Sequence, residues 1–310
     1  MNEKHEHSVR RVMVVGYGTM GRGIALSFAR TGFETIVLSR NPARHGTLPH
    51  CMTAVSEPPT EAPDLIIESV PEEISLKHAL FAQLEACYGT GAQDIILGTN
   101  TSGLPIEKIA APLSQGNRKH FLATHYMQPA DTLPMVECAM LEETLPEVAD
   151  RARTALEQSG KQVIMLRKPV IGFLINRLQH AVLHEAYHLI EEGVVTVEDV
   201  DAFARTLFGP RMCITGLIEQ KDLSGLGVHA LAQQSIVPAL HHSAEPNPMV
   251  QAMIAGGDTG AASGKGFYDW QNRDAIARAD EAKAQMAQLI DFLARLKKDN
   301  DGQAAPGSAG

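Results

Sequence analysis

The sequence predicts an α/β domain built on a doubly wound, mostly parallel sheet, followed by an all-helical C-terminal domain. Three observations predict it. The chain opens with a short apolar run, a glycine-rich turn and a helical stretch, RVMVVGYGTMGRGIA at residues 11–25. Strand-like and helix-like segments then alternate as far as residue 168, the pattern of a parallel sheet with crossover helices. After Lys168-Pro169 strand-like alternation stops and only helical periodicity remains.

Residues 12–15 have the size of a buried parallel strand. Gly16, Gly18 and Gly21 follow as G-x-G-x-x-G, with Thr19 and Met20 between them, and residues 24–30 continue with helical spacing. In such a turn Gly16 makes the bend, Gly18 admits a pyrophosphate, and Gly21 lets helix pack on strand. Free N–H groups at the helix start suit the phosphates. Set between a strand and a helix, the pattern points to a Rossmann-type dinucleotide site rather than an empty turn. The next strand is expected at 35–38. An NAD enzyme places an acid at its end for the ribose 2′-hydroxyl, and this chain has Ser39 and Arg40. A hydroxyl and a guanidinium attract a 2′-phosphate that a carboxylate would repel, so NADP is expected, with NAD as the alternative. Residues 1–50 hold seven Lys/Arg against three acids, although the whole chain carries −9.

Further strands are expected at 64–67, 95–97, 120–124, 134–138 and 162–166, and helices at 74–86 and 145–159. A long helix should fill 170–192, with others over 197–207, 229–240 and 274–296. The expected domains are therefore 1–168, 169–298 and a small polar tail, 299–310, expected to be disordered. With 310 residues, 44% apolar and 20% charged, the chain can bury two cores. No run reaches a membrane span, and MNEKHEHSV has no signal-peptide core. The four cysteines lack C-x-x-C spacing and read as buried thiols of a cytoplasmic protein. An acidic chain with 5% aromatics gives no sign of nucleic-acid binding.

Candidate chemistry lies where strands end. Thr99-Asn100-Thr101-Ser102 follows one strand, His125 follows the next, Glu137 ends another, and Asn176 sits early in the first helix of the second half. A His oriented by a carboxylate is a natural general base. Taken singly, each has an ordinary structural reading, and spacing does not show that they meet. A literal H-E-x-x-H, His184 to His188, falls on an expected helix with His180 one turn earlier. It lacks a third ligand at metalloprotease spacing, so no metal site is assigned and a packing face is preferred.

The chain resembles the 3-hydroxyacyl-CoA dehydrogenase family over roughly residues 10–270. Beyond the glycine fingerprint, the likeness rests on IIESVPEEISLKHALFAQLE (66–85), GTNTSGLPI (98–106), THYMQP and LPMVEC (within 124–138), PVIGFLINRL (169–178), EAYHLIEEGVVTVEDVDA (185–202) and SGKGFYDW (263–270). The resemblance implies a helical dimerisation domain, hence a homodimer, and oxidation of a secondary alcohol by hydride transfer. It implies His125 as general base, Glu137 as its orienting partner, and Ser102 and Asn176 as hydrogen-bond partners of the reacting oxygen and a neighbouring carbonyl. Glu72, Lys77 and Asn100 match positions lining the nicotinamide half of the cofactor.

Four departures stand out. Ser39 replaces the family's ribose-binding Asp, Gln128 its Asn, and Ala262 a frequent Lys. The fourth is the helical arm that grips CoA. Only 23 residues (41–63), rich in Pro, Thr and His, stand in its place, and no helical hairpin fits them. A compact hydroxy acid, keto acid or related alcohol or aldehyde is therefore expected as substrate. The alternatives are an NAD-dependent 3-hydroxyacyl-CoA dehydrogenase and a non-catalytic, crystallin-like binding protein.

Overall fold

Alternating apolar residues in β1 (Arg11–Val15) feed two separate cores. Val12 and Val14 pack with Ile24 and Phe28 on one face of the sheet. Met13 and Val15 pack with Phe81 and Phe121 on the other. Two covered faces are the condition under which a parallel sheet is stable. The computed structural model describes residues 8–90 and 94–303, so residues 1–7 and part of the expected tail, 304–310, lie outside it.

The sheet has eight strands in the order β3-β2-β1-β4-β5-β6-β7-β8. The strands are β2 (Glu34–Leu38), β3 (Met52–Val55), β4 (Leu65–Glu68), β5 (Ile96–Thr99), β6 (Phe121–Tyr126), β7 (Met135–Met140) and β8 (Gln162–Leu166). All pairings are parallel except β6 with β7. Helices α1 (Thr19–Ala29), α2 (Ile74–Tyr88), α3 (Ile106–Ile109), α4 (Gln115–Arg118) and α5 (Pro146–Gln158) connect them. The strand order reverses between β1 and β4. That opens a crevice at the carboxyl edge where α/β sheets take ligands.

Several elements go beyond the sequence expectation, the short helices α3 and α4 among them. Helix α1 begins at Thr19, directly after Gly18 and ahead of the helical spacing at 24–30. Residues 52–55 form edge strand β3, although the 41–63 segment carries no strong strand pattern. A 3₁₀ turn at Pro42–His45 precedes it. Of the cysteines, Cys138 alone is buried, while Cys87 and Cys213 are exposed.

The chain divides into two compact units after Arg177, later than the expected boundary at 168. The connecting stretch stays with the sheet because Phe173 is buried and the backbone N–H groups of Leu174 and Ile175 donate to Glu137. The second unit is helical. It holds most of α6 (Ile175–Glu191), then α7 (Val197–Phe203), further helices at Gly209–Thr215, Glu219–Ser224, Leu226–Ile236 and Pro248–Ala255, and a last one at Ala275–Gln303. Residues 299–303, assigned to the tail, continue that last helix. Thr196 and Asp199 close a reciprocal cap on α7. No described helix is long and apolar enough to cross a membrane.

Candidate active site

The β1–α1 turn has the stereochemistry of a phosphate cradle. Gly16 has φ +97°, and a Cβ there would lie 2.5 Å from the Ser69 carbonyl oxygen. A Cβ on Gly21 would lie 2.1 Å from the Gly16 carbonyl oxygen, so β1 and α1 approach as closely as glycine allows. At Gly18 a Cβ would meet nothing within 4 Å, so open space lies above that residue. No side chain caps α1, and its first turn, Thr19 and Met20 included, carries no acid. Its N–H groups are left for an external anion, and the residues present fit a dinucleotide.

Ser39 follows β2 and donates its N–H to the Val55 carbonyl of β3 at 2.9 Å. Its Oγ lies 2.7 Å from His45 Nε2. Arg40 is exposed, and no ion pair to it occurs among the described residues.

Two strand ends build the polar heart of the edge. Glu68, the last residue of β4, is fully buried and receives both bonds of Lys77 Nζ, at 2.7 and 2.8 Å. Thr99 Oγ1, at the end of β5, donates to the same carboxylate at 2.5 Å. Lys77 is itself fully buried and also lies 3.2 Å from Glu72. It therefore organises two carboxylates rather than facing open space as the cofactor contact expected from sequence. Glu72 accepts from Thr101 Oγ1 at 2.5 Å and from the N–H groups of Ser102 and Gly103 at 2.9 and 3.1 Å. Burial pushes the Glu72 carboxyl up, but the Thr101 bond, the Lys77 charge and the two N–H groups outweigh it and hold it below its ordinary value. Ser102 is exposed, with its backbone anchored by Glu72. Asn100 Oδ1 accepts the N–H of Tyr126 at 2.9 Å and so ties the β5 turn to the residue after His125.

The antiparallel β6–β7 pairing places His125 directly opposite Glu137. His125 Nδ1 lies 3.0 Å from Glu137 Oε2, and both residues are buried, at 4% and 1% exposure. The other carboxylate oxygen accepts the N–H groups of Leu174 and Ile175, at 2.9 and 3.0 Å. Glu137 therefore orients the imidazole and caps α6 at once. Asn176 is the second residue of α6, so one carboxylate sets the position of both His125 and Asn176. With an Nδ1–H donated to Glu137, Nε2 is the ring nitrogen left with an unshared lone pair. Phe173 stacks on the imidazole at 4.6 Å, with the rings 24° apart. It holds φ +51°, a strained value for a non-glycine residue, and lines an apolar pocket of about 200 Å³ with Leu104, Ile106, Ala139, Val170 and Ile171. Glu68 and Phe173 are the residues at this edge that sequence reasoning missed. Glu68 left one signal, a lone acid ending the apolar run LIIE.

Elsewhere, the H-E-x-x-H residues are engaged in packing. His184 Nε2 lies 2.9 Å from the Ser243 carbonyl oxygen, His188 stacks on His241 at 4.2 Å, and Glu185 accepts the His241 N–H. Among the described residues no group of three or more His, Cys, Asp or Glu side chains has a geometry that could hold a metal ion.

The fold and the edge together define a class, a dinucleotide-dependent oxidoreductase acting on CH–OH groups. The NAD-binding domain profile of 3-hydroxyacyl-CoA dehydrogenase matches residues 11–57 and 50–169, and the profile of its C-terminal domain matches 172–270. A 3-hydroxybutyryl-CoA dehydrogenase of Mycobacterium tuberculosis is 32% identical, over 85% of this chain and 99% of its own length. The 5-formyl-3-hydroxy-2-methylpyridine 4-carboxylate 5-dehydrogenase of Mesorhizobium japonicum is 28% identical, over 84% of this chain and 90% of its own. A solved structure of an enzyme of that name, described as an NAD⁺-dependent dismutase, superimposes with a TM-score of 0.84 at 25% identity, covering 92% of this chain and 98% of the other. The chain belongs to the 3-hydroxyacyl-CoA dehydrogenase family.

Proposed function

We propose that the protein transfers a hydride between NADP and a compact hydroxy acid, keto acid or related alcohol or aldehyde, with His125 as general base. The observation that carries this reading is the buried His125–Glu137 pair at the same sheet edge as the glycine cradle. A bound nicotinamide ring supplies the hydride acceptor. The chain does the rest. Gly16, Gly18, Gly21 and the start of α1 hold the pyrophosphate, and Ser39 and Arg40 hold the adenosine ribose and its 2′-phosphate. Glu72 and Asn100 fix the turn beside the nicotinamide half, with Lys77 holding Glu72 from behind. His125 Nε2 takes the hydroxyl proton while Glu137 holds the ring. Ser102 and Asn176 position the reacting oxygen and its neighbour.

The compact substrate is supported by the 41–63 segment, which forms a 3₁₀ turn and an edge strand where the family resemblance implies a CoA-gripping arm. The relative that acts on a pyridine carboxylate agrees too. We also propose a homodimer through the second unit. Its described residues bury only Ala186 and Asn247, while Ile214, Ile218, Leu223, Leu226, Val228 and Leu231 are each more than half exposed. An apolar surface of that extent needs a partner.

One experiment tests the core of this reading. NADPH and NADH are titrated by fluorescence into the wild type and the Arg40→Ala and His125→Ala variants, with turnover measured on small keto acids and aldehydes. NADPH should bind more tightly, and Arg40→Ala should erase the preference. His125→Ala should bind both as before and lose about 10²–10⁴-fold in turnover, the usual worth of a general base. Unchanged turnover in His125→Ala sinks the mechanism, and a wild type that favours NADH sinks the NADP assignment.

A further inference from the structure

We propose that His45 is a specificity-determining residue of the dinucleotide site, a third anchor beside Ser39 and Arg40 for a phosphate ester on the ribose 2′-oxygen. The inference rests on the NADP reading and adds a residue to it.

Placement carries the argument. The 3₁₀ turn Pro42–His45 folds back on the end of β2, and His45 Nε2 meets Ser39 Oγ at 2.7 Å. The same ring lies 4.4 Å from the ring of Tyr17, which sits between the first two glycines of the phosphate loop. Tyr17 in turn directs its hydroxyl at Met52 Sδ of β3, 3.7 Å away. His45 is thus held from two sides, against the pyrophosphate loop and against Ser39, the residue after β2. The adenosine ribose of a dinucleotide lies between those two points in this fold.

Chemistry agrees with placement. A phosphate ester has three acceptor oxygens and is best held by several donors converging on it. Ser39 presents a hydroxyl and His45 a ring nitrogen already in contact with it. Arg40 and Arg44 flank them, both exposed and without ion pairs among the described residues. The acid of this strand, Glu34, stands at its far end and is bonded to Arg11 at 2.9 Å. No carboxylate ends β2 to receive a ribose 2′-hydroxyl, so the residues here favour the phosphorylated ribose. The turn that bears His45 belongs to the 41–63 segment. The stretch that replaces the CoA-gripping arm would therefore serve cofactor choice.

The test titrates NADPH and NADH into wild type, His45→Ala, His45→Gln and Arg40→Ala, with thermal melts to show that each variant folds. His45→Ala should weaken NADPH by about tenfold, the worth of one charge-assisted hydrogen bond, and leave NADH within about twofold. His45→Gln, which keeps an N–H for the phosphate, should recover part of the loss. Equal losses for both dinucleotides, or no loss for either, overturn the assignment of His45. If Arg40→Ala loses the NADPH preference and His45→Ala keeps it, His45 fails while the NADP reading stands. If the wild type shows no NADPH preference, the NADP reading fails and takes His45 with it.

Discussion

Glu137 is the residue on which the candidate site turns, because its two oxygens serve different masters. One orients His125, and the other caps α6. Substitution should separate the two roles. Glu137→Gln keeps a carbonyl oxygen for Leu174 and Ile175 but presents an N–H to the imidazole, which favours the wrong tautomer. Turnover should fall about 10²–10³-fold with little change in the denaturation midpoint. Glu137→Ala should lose the same activity and about 1–2 kcal/mol of stability with the cap. Equal stability in the two variants would contradict the capping role. Glu72 gives the pH counterpart. Its carboxyl lies below the ordinary 4.5, so its bonds to Thr101, Ser102 and Gly103 stabilise the fold above that value. The contribution is lost as pH falls through the lower folded value. The stability difference between wild type and Glu72→Gln, from urea melts over pH 3–7, should therefore shrink below pH 4.5. A difference independent of pH would contradict the assignment.

At the scale of elements, the β1–α1 turn makes a different prediction at each of two neighbouring glycines. Gly16→Ala meets the Ser69 carbonyl at 2.5 Å with φ +97° and should destabilise the fold measurably in thermal melts. Gly18→Ala meets open space, so it should fold normally and lose at least about tenfold in dinucleotide affinity, because the new methyl occupies the pyrophosphate's approach. Normal affinity in a folded Gly18→Ala protein would place the cofactor elsewhere. This turn was legible in the sequence because glycine spacing encodes a backbone path directly. The core strands were legible because they are continuous apolar runs. Edge strand β3 was not: its burial fades from Met52 onward and its sequence resembles a loop. Pairing with β2 alone makes it a strand. The exact start of α1 carries no local mark, because apolar periodicity begins only at Ile24 and Gly18 caps without a side-chain signature.

On the scale of the whole molecule, the two units differ in self-sufficiency. The first buries two continuous cores. The second leaves large aliphatic side chains open along most of its helices. Light scattering after size exclusion should therefore give twice the 33.5 kDa chain mass, persisting on dilution to the micromolar range. A monomer at that concentration would remove the dimer proposal. Local grammar determined by itself the class of fold, the glycine cradle, the change from α/β to all-α, and the residue types of the candidate site. Each is written in spacing or composition within a few turns of chain. Tertiary structure decided which of those residues meet. Pairing of β6 with β7 set His125 opposite Glu137, burial turned Lys77 inward, and Glu137 reached α6 across 37 residues of chain. Such contacts depend on strand register and on the satisfaction of buried charges, which no local pattern records.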